Sequence, residues 1–356
     1  MIFYDFEVFK EDWLAVFIDV TKKKEYVIIN NPDELKALYE ANSKDIWVGY
    51  NNRHYDQYIF KGILLGMNPK RINDWIIVEK REGWQFSSAF NKVPMINYDV
   101  MPNPPVGLKT LEGFLGSNIK ETDVDFRINR KLTKEEIKQT VFYCRHDVEQ
   151  TIKVFLEKID EFNAMHGIIQ AFPKIVNLSD IGDSEARITA KVLECSRRSF
   201  EDEFDFYFLP CLQLKKYKYV QDWFEQKRQE ALSMDLVHMD KYSKRTWYKE
   251  QGLEIIVAGI PHSFGFGGVH GATAKPIHKT GQLLHVDVNN YYPSMLIAWG
   301  LVTRAATNNN FKLVYDTRKA MKKKQVAAAH AGNKAEAKRW KKAQLPYKKM
   351  LNALSG

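Results

Sequence analysis

The sequence predicts an α/β fold, with a sheet-forming first half and a helix-rich second half. Three observations predict it. The first thirty residues form short β-prone runs broken by polar turns. From Pro32 onward, helix-start signals alternate with short apolar runs, the pattern of strands interleaved with helices. At 356 residues, the chain also exceeds what one simple core organises, so two or three domains are expected.

Taken in order, strands are expected at residues 2–8, 13–20 and 25–29, separated by the turns 9–12 and 21–24. Pro32-Asp33-Glu34 opens a helix to Ala41, with acid in its first turn. A strand follows at 46–50, a helix from Tyr55, and a strand at 95–99 before the bend Pro102-Asn103-Pro104-Pro105. A long helix is predicted over 134–162, because Thr133 and Glu136 form a capping box. The α/β domain should end near residue 165. Beyond it, 179–197 and 217–232 read as helices, Gly265-Phe266-Gly267-Gly268 as a flexible turn, and 283–288 as a strand. Helices at 316–331 and 334–354, with Gly332-Asn333 between them, complete the prediction.

Charge is unevenly placed. Residues 304–356 hold 14 Lys/Arg against 2 Asp/Glu, a net +12; the whole chain is +9, so the remainder is −3. A basic block beside a mildly acidic body points to a polyanion such as nucleic acid, or simply to a solvated helical hairpin. No apolar run approaches the ~20 residues that span a bilayer, so no membrane partner is expected. The N-terminus lacks the pattern of a signal peptide, and three cysteines without metal spacing suit a reducing cytoplasm.

The chemistry-bearing residues form two groups. Asp5 and Glu7 stand two apart on a strand and share a face. Two carboxylates on an apolar strand are costly to bury unless a cation pairs them. Tyr143 and Asp147 stand four apart on a helix and share a face, and Asp56 begins a helix after a strand end. Converging, these carboxylates suit two hard divalent ions, Mg²⁺ or Mn²⁺, which can activate water and clamp a phosphodiester. Alone, each piece also fits a solvated polar face.

Together these segments resemble the three motifs of the DEDDy 3′–5′ exonucleases, the proofreading domains of DNA polymerases, over roughly residues 1–160. The resemblance implies a ribonuclease-H-like domain in which Asp5 bridges two metals. Glu7 and Asp147 would complete the site of the metal that carries the attacking water, and Asp56 would serve the other. Tyr143 would orient the water, Asn51 or Asn52 would touch a single-stranded 3′ end, and His146 would be incidental.

The second group begins with Asp287-Val288-Asn289-Asn290-Tyr291-Tyr292-Pro293-Ser294, which resembles motif A of family B DNA polymerases. A buried, turn-capping Asp is the plainer alternative. By the resemblance, Asp287 and the Val288 carbonyl would hold Mg²⁺, and the turn containing Tyr291 would receive triphosphate. Tyr292 would exclude a 2′-hydroxyl. Lys348-x-x-x-Asn352-Ala353-x-x-Gly356 resembles motif B, with Ala353 and Ser355 replacing the usual serine and tyrosine. Lys348 would touch the triphosphate and Asn352 the nascent pair, with Arg318 and Lys322 as looser candidates. Gly267 and Gly268 fall where the family places a linker along the template strand.

The expected division is an exonuclease at 1–165, a helical linker at 166–280, a partial palm at 281–303 and fingers at 304–356. The family's Asp-Thr-Asp motif and thumb would lie after motif B. The expectation is therefore the N-terminal part of a phage-like family B DNA polymerase, in a bacterial host cytoplasm. It would act on primer-template DNA and dNTP and add nucleotides only with a C-terminal polypeptide that supplies those parts. A free-standing exonuclease and a non-enzymatic DNA-binding assembly subunit are the alternatives.

Overall fold

The computed structural model describes the chain except residues 118, 121, 196–207, 279, 283, 285, 287, 289, 305–308 and 354–356, and the side chains of 237, 241, 303 and 304. It is a mixed α/β structure, and the chain divides into two compact units. The first is Met1–Ser196 with Asn290–Gly356, and the second is Arg197–Asn289. The expected divisions at 165 and 303 fall inside the first unit, and that at 280 inside the second. Among the described residues no helix is long and apolar enough to cross a membrane.

In the first unit, β1 (Ile2–Val8), β2 (Trp13–Asp19) and β3 (Lys24–Ile29) form the antiparallel run that the sequence predicts. Helix α1 (Pro32–Ala41), strand β4 (Ile46–Gly49) and helices α2 (Asp56–Leu64) and α3 (Pro69–Asn73) follow, before β5 (Ile96–Asp99). The sheet order is β3-β2-β1-β4-β5. β1 pairs antiparallel with β2 and parallel with β4, and β4 pairs parallel with β5. The three parallel strands thus end on the same edge, where α/β sheets commonly place sites.

β1 is buried on both faces. Ile2, Tyr4, Phe6 and Val8 pack into an aromatic cluster with Phe17, Trp47 and Phe60. Trp47 and Phe60 meet edge-on at 5.1 Å between ring centroids, a contact worth ~0.5–1.5 kcal/mol beyond area burial. Phe3 faces the other way, into a core with Cys144, Val148 and Phe155.

The helix α4 (Leu108–Phe114) is absent from the sequence prediction. The predicted helix at 134–162 is two, α5 (Lys134–Glu157) and α6 (Ile159–Ala171), meeting at Lys158. The capping box is present: the Glu136 N–H donates to Thr133 Oγ1 at 3.2 Å, and the Thr133 N–H to Glu136 Oε2 at 2.7 Å. Asp12 anchors the approach to α5, accepting from the Leu132 N–H at 2.7 Å and from Asn30 Nδ2 at 2.6 Å. The helix expected at 179–197 is a 3₁₀ turn, Leu178–Gly182, and α7 (Glu185–Val192).

The second unit has two helices, α8 (Lys218–Ser233) and α9 (Lys241–Glu250), and a sheet of β6 (Leu253–Val257), β7 (Ile260–Gly265) and β8 (Gly268–Gly271). The glycine segment is therefore a hairpin turn: Gly265 pairs with Gly268. Gly268 has a φ of 137°, which a side chain would resist. Phe266 packs on Trp247 at 5.5 Å. Of the strand expected at 283–288, residues 283, 285 and 287 lie outside the described residues, and Leu284, Val286 and Val288 are exposed.

The first unit resumes with α10 (Tyr291–Ala298), α11 (Asn310–His330), α12 (Lys334–Ala343) and α13 (Leu345–Ala353). The last predicted helix is thus split at Gln344. Phe311, Val314, Met350 and Leu351 are buried in the same core as Phe3.

Gly182 tests the packing of the sheet edge. A Cβ there would lie 2.2 Å from the Asn97 carbonyl oxygen, a backbone atom that cannot rotate away. Gly182→Ala should therefore cost ~1–3 kcal/mol in urea denaturation. An unchanged midpoint and slope would refute this close approach.

Candidate metal centre

Asp5 and Glu7 project from the α5-facing side of β1. They are there because strand alternation gives the opposite side to Tyr4 and Phe6. Cys144 of α5 meets them: its Sγ lies 3.4 Å from the Asp5 carbonyl oxygen and 3.6 Å from Oδ2. Ligand atoms of Asp5, Glu7 and Cys144 all lie within 4.8 Å of one another. Asp56, in the first turn of α2, accepts the Phe6 N–H at 3.1 Å, so it is tied to the strand between the two acids.

Tyr143 and Asp147 lie one helical turn apart on α5, as expected. Asp147, however, is engaged on a second side. Lys109 of α4 reaches it, Nζ to Oδ1 at 2.5 Å, and lies 3.2 Å from Glu112 Oε1. The same ammonium sits 4.6 Å over the Tyr143 ring. His146 Nε2 lies 3.2 Å from Glu112 Oε2, with both side chains buried. Glu112, His146 and Asp147 form a second group within 4.8 Å.

The site is electrostatically strained by its acids. Burial, then Asp56, Glu7 and Asp147, pushes the Asp5 carboxyl well above the ordinary range. Burial followed by Asp147 and Asp56 does the same to Glu7, against a lowering by Lys109. Burial raises Asp56 to about 7 despite the Phe6 N–H. Asp147 is raised by burial, with Lys109 opposing. Burial and then Asp147 push the Tyr143 phenol up, so it stays protonated near neutrality. Burial works against the Lys109 charge, but Asp147 and Glu112 outweigh it and the ammonium is favoured.

The two asparagines differ. Asn51 adopts a left-handed φ of 56°, and its N–H donates to Asp99 Oδ1 at 2.9 Å. Asn52 is fully buried, and its Nδ2 donates to Asn97 Oδ1 at 2.9 Å and to the Tyr98 carbonyl at 3.3 Å. Asn52 is therefore unsuited to touch a strand of DNA, which corrects its place among the DNA-binding candidates.

Of the second group, Asp287 lies outside the described residues. Val288 is exposed in the second unit. Tyr291 and Tyr292 open α10 as exposed rings 5.4 Å apart. Asn290 precedes them with a φ of 55°, and Arg318 Nη1 donates to its side chain. Arg318 Nε is buried and accepted by no partner among the described residues. Lys322 Nζ donates to Gln325 Oε1 at 3.4 Å. Lys348 and Asn352 share the exposed face of α13. Gly267 and Gly268 belong to the hairpin of the second unit.

The residues that sequence reasoning missed are Lys109 and Glu112, with His146 set aside and Cys144 unassigned. Lys109 and Glu112 are three apart on a short helix with no capping signal, so nothing in the sequence aimed them at Asp147.

Carboxyls whose pKa is raised by folding favour the fold when protonated. That contribution is full below about pH 4, the unfolded aspartate value. It is lost as pH rises through about 7 at Asp56, to the order of 4 kcal/mol. In chelator, the melting temperature should fall between about pH 5 and pH 8. Mg²⁺ or Mn²⁺ should restore more at the higher pH, and Asp56→Asn should flatten the slope. A pH-independent melting temperature would contradict this account. Comparison of the chain with protein-family models and with curated proteins gives no match.

Proposed function

We propose that the chain carries a metal-dependent 3′–5′ exonuclease that shortens single-stranded DNA ends. The observation that carries it is the gathering of Asp5, Glu7 and Asp56 at the end of β1, with Tyr143 and Asp147 on α5. The sheet order β3-β2-β1-β4-β5, antiparallel then parallel, suits a ribonuclease-H-like domain. The donors fit hard divalent ions: they are carboxylates, and burial followed by mutual repulsion raises Asp5 and Glu7, with Lys109 opposing only at Glu7. Asp5, Glu7, Asp56 and Asp147 are the residues that would hold them. A bound pair of Mg²⁺ or Mn²⁺ would supply an activated water and charge neutralisation at the phosphodiester.

The chain's own groups have distinct parts in this reading. Tyr143 keeps its proton near neutral pH, so it orients a water by hydrogen bonding and does not act as a base. His146 holds Glu112, and Lys109 holds Asp147. Asn51, at its left-handed corner beside exposed Arg53 and His54 and with its backbone held by Asp99, would meet the strand end in this reading.

A second reading concerns residues 290–356, as part of a family B polymerase. The buried, unpartnered Arg318 Nε beside Asn290 favours an anion at the start of α10. Triphosphate is the ligand proposed, with Tyr292, Lys348 and Asn352 exposed.

The first test is digestion of a 5′-labelled single strand. Stepwise shortening with Mg²⁺ or Mn²⁺ is expected, and Asp5→Ala or Asp147→Ala should reduce it at least about 10³-fold. Tyr143→Phe should cost roughly 10- to 100-fold, mainly in kcat. Salt-sensitive DNA binding without cleavage would instead indicate a DNA-binding assembly subunit. For the second reading, Arg318→Ala should weaken binding of a fluorescent dNTP by about tenfold. Unchanged affinity would remove Arg318 from that role.

A further inference from the structure

Lys109 is the one cation found against the acidic cluster among the described interactions, and it sits on the ligand side of Asp147. Its Nζ is 2.5 Å from Asp147 Oδ1, which is inside the distance at which a second cation could share that oxygen comfortably. The ammonium also has an alternative partner. Glu112 is fully buried, and its Oε2 faces His146 at 3.2 Å. Its Oε1 lies 3.2 Å from Lys109 Nζ yet accepts no well-formed hydrogen bond. The ammonium is thus already at ion-pair distance from a buried carboxylate oxygen with which it makes no well-aligned hydrogen bond, and a small turn would complete one.

We propose that Lys109 is a tethered competitor for the divalent cation at Asp147, and that Glu112 receives its ammonium when it leaves. Lys109 is thus a positioning residue acting through Asp147. In the metal-free chain its charge steadies Asp147. Lys109 must turn to Glu112 for a divalent cation to bind Asp147, so it raises the cation concentration at which the site is half loaded. This rests on the metal-centre reading above.

The test is Mn²⁺ binding to the full chain by calorimetry, without DNA. Asp5→Asn reports on the metal centre itself. Lys109→Met should lower the half-saturating Mn²⁺ concentration about tenfold, equivalent to ~1.4 kcal/mol. Lys109→Arg, whose fork can hold both carboxylates at once, should raise it. Glu112→Gln should raise it several-fold in the unaltered background and leave it unmoved in Lys109→Met, which a bulk charge effect would not do. A purely structural lysine predicts weaker Mn²⁺ binding in Lys109→Met. That result, or no shift, overturns the proposal. If Lys109→Met does not fold, an unshifted Lys109→Arg overturns it equally. If the unaltered chain binds no Mn²⁺, or Asp5→Asn binds it as well, the metal centre fails and this inference with it. If Asp5→Asn abolishes binding while the Lys109 variants do not shift, this inference alone fails.

Discussion

The rest of the first unit is arranged around one constraint: charge must be carried on a strand that is buried on both faces. β1 has to present Phe3 to one helix layer and Tyr4 and Phe6 to the other. Asp5 and Glu7 are the only positions on its α5-facing side that reach past Phe3 toward the sheet edge. Repulsion between carboxylates at such spacing is strong in a low-dielectric setting. It persists because the aromatic packing behind β1 holds the strand in place regardless of what stands in front of it.

The surrounding elements act as a frame for that charge. The parallel ends of β4 and β5 bring Asp99 beneath the loop that leads to Asp56, where it accepts the Asn51 N–H at 2.9 Å and the Arg53 N–H at 3.1 Å. Asp12, on the far turn, sets where α5 begins, and the register of α5 then decides that Tyr143 and Asp147 share a stripe with Cys144 and Val148 alongside. Two short polar anchors, remote in sequence, thus fix the helix and the loop that complete the acidic group.

Much of this was legible in the sequence, for a physical reason in each case. The strands show because their alternation is strong, and α5 shows because Thr133 and Glu136 mark its start. The acids were found because their spacing matches strand and helix periods. What escaped is instructive. α4 has Gly107 before it and no side-chain cap, so nothing in the local pattern singles out Lys109 and Glu112. Asn51 and Asn52 are neighbours with the same chemistry, and only the tertiary partner Asn97 separates an interior amide from an available one. The glycine segment read as a flexible turn, and it is a turn, but glycine does not say whether strands flank it. The first compact unit runs past residue 165 because helices later in the chain complete the same core, a relation that local patterning does not carry.

That last relation has a consequence for how the molecule comes to exist. Phe311, Val314, Met350 and Leu351 share a buried cluster with Phe3, Val16 and Val148. The second unit, Arg197–Asn289, is spelled out between the two halves of that cluster. On the ribosome, the sheet and its aromatic face can assemble early, while the α5-side core waits for sequence some two hundred residues further along. Contacts of such high sequence separation close slowly, because the intervening chain loses entropy before they form. During synthesis, the apolar sides of α6 and α7 therefore remain uncovered longest, and these helices are where a nascent chain of this kind has most need of protection from aggregation.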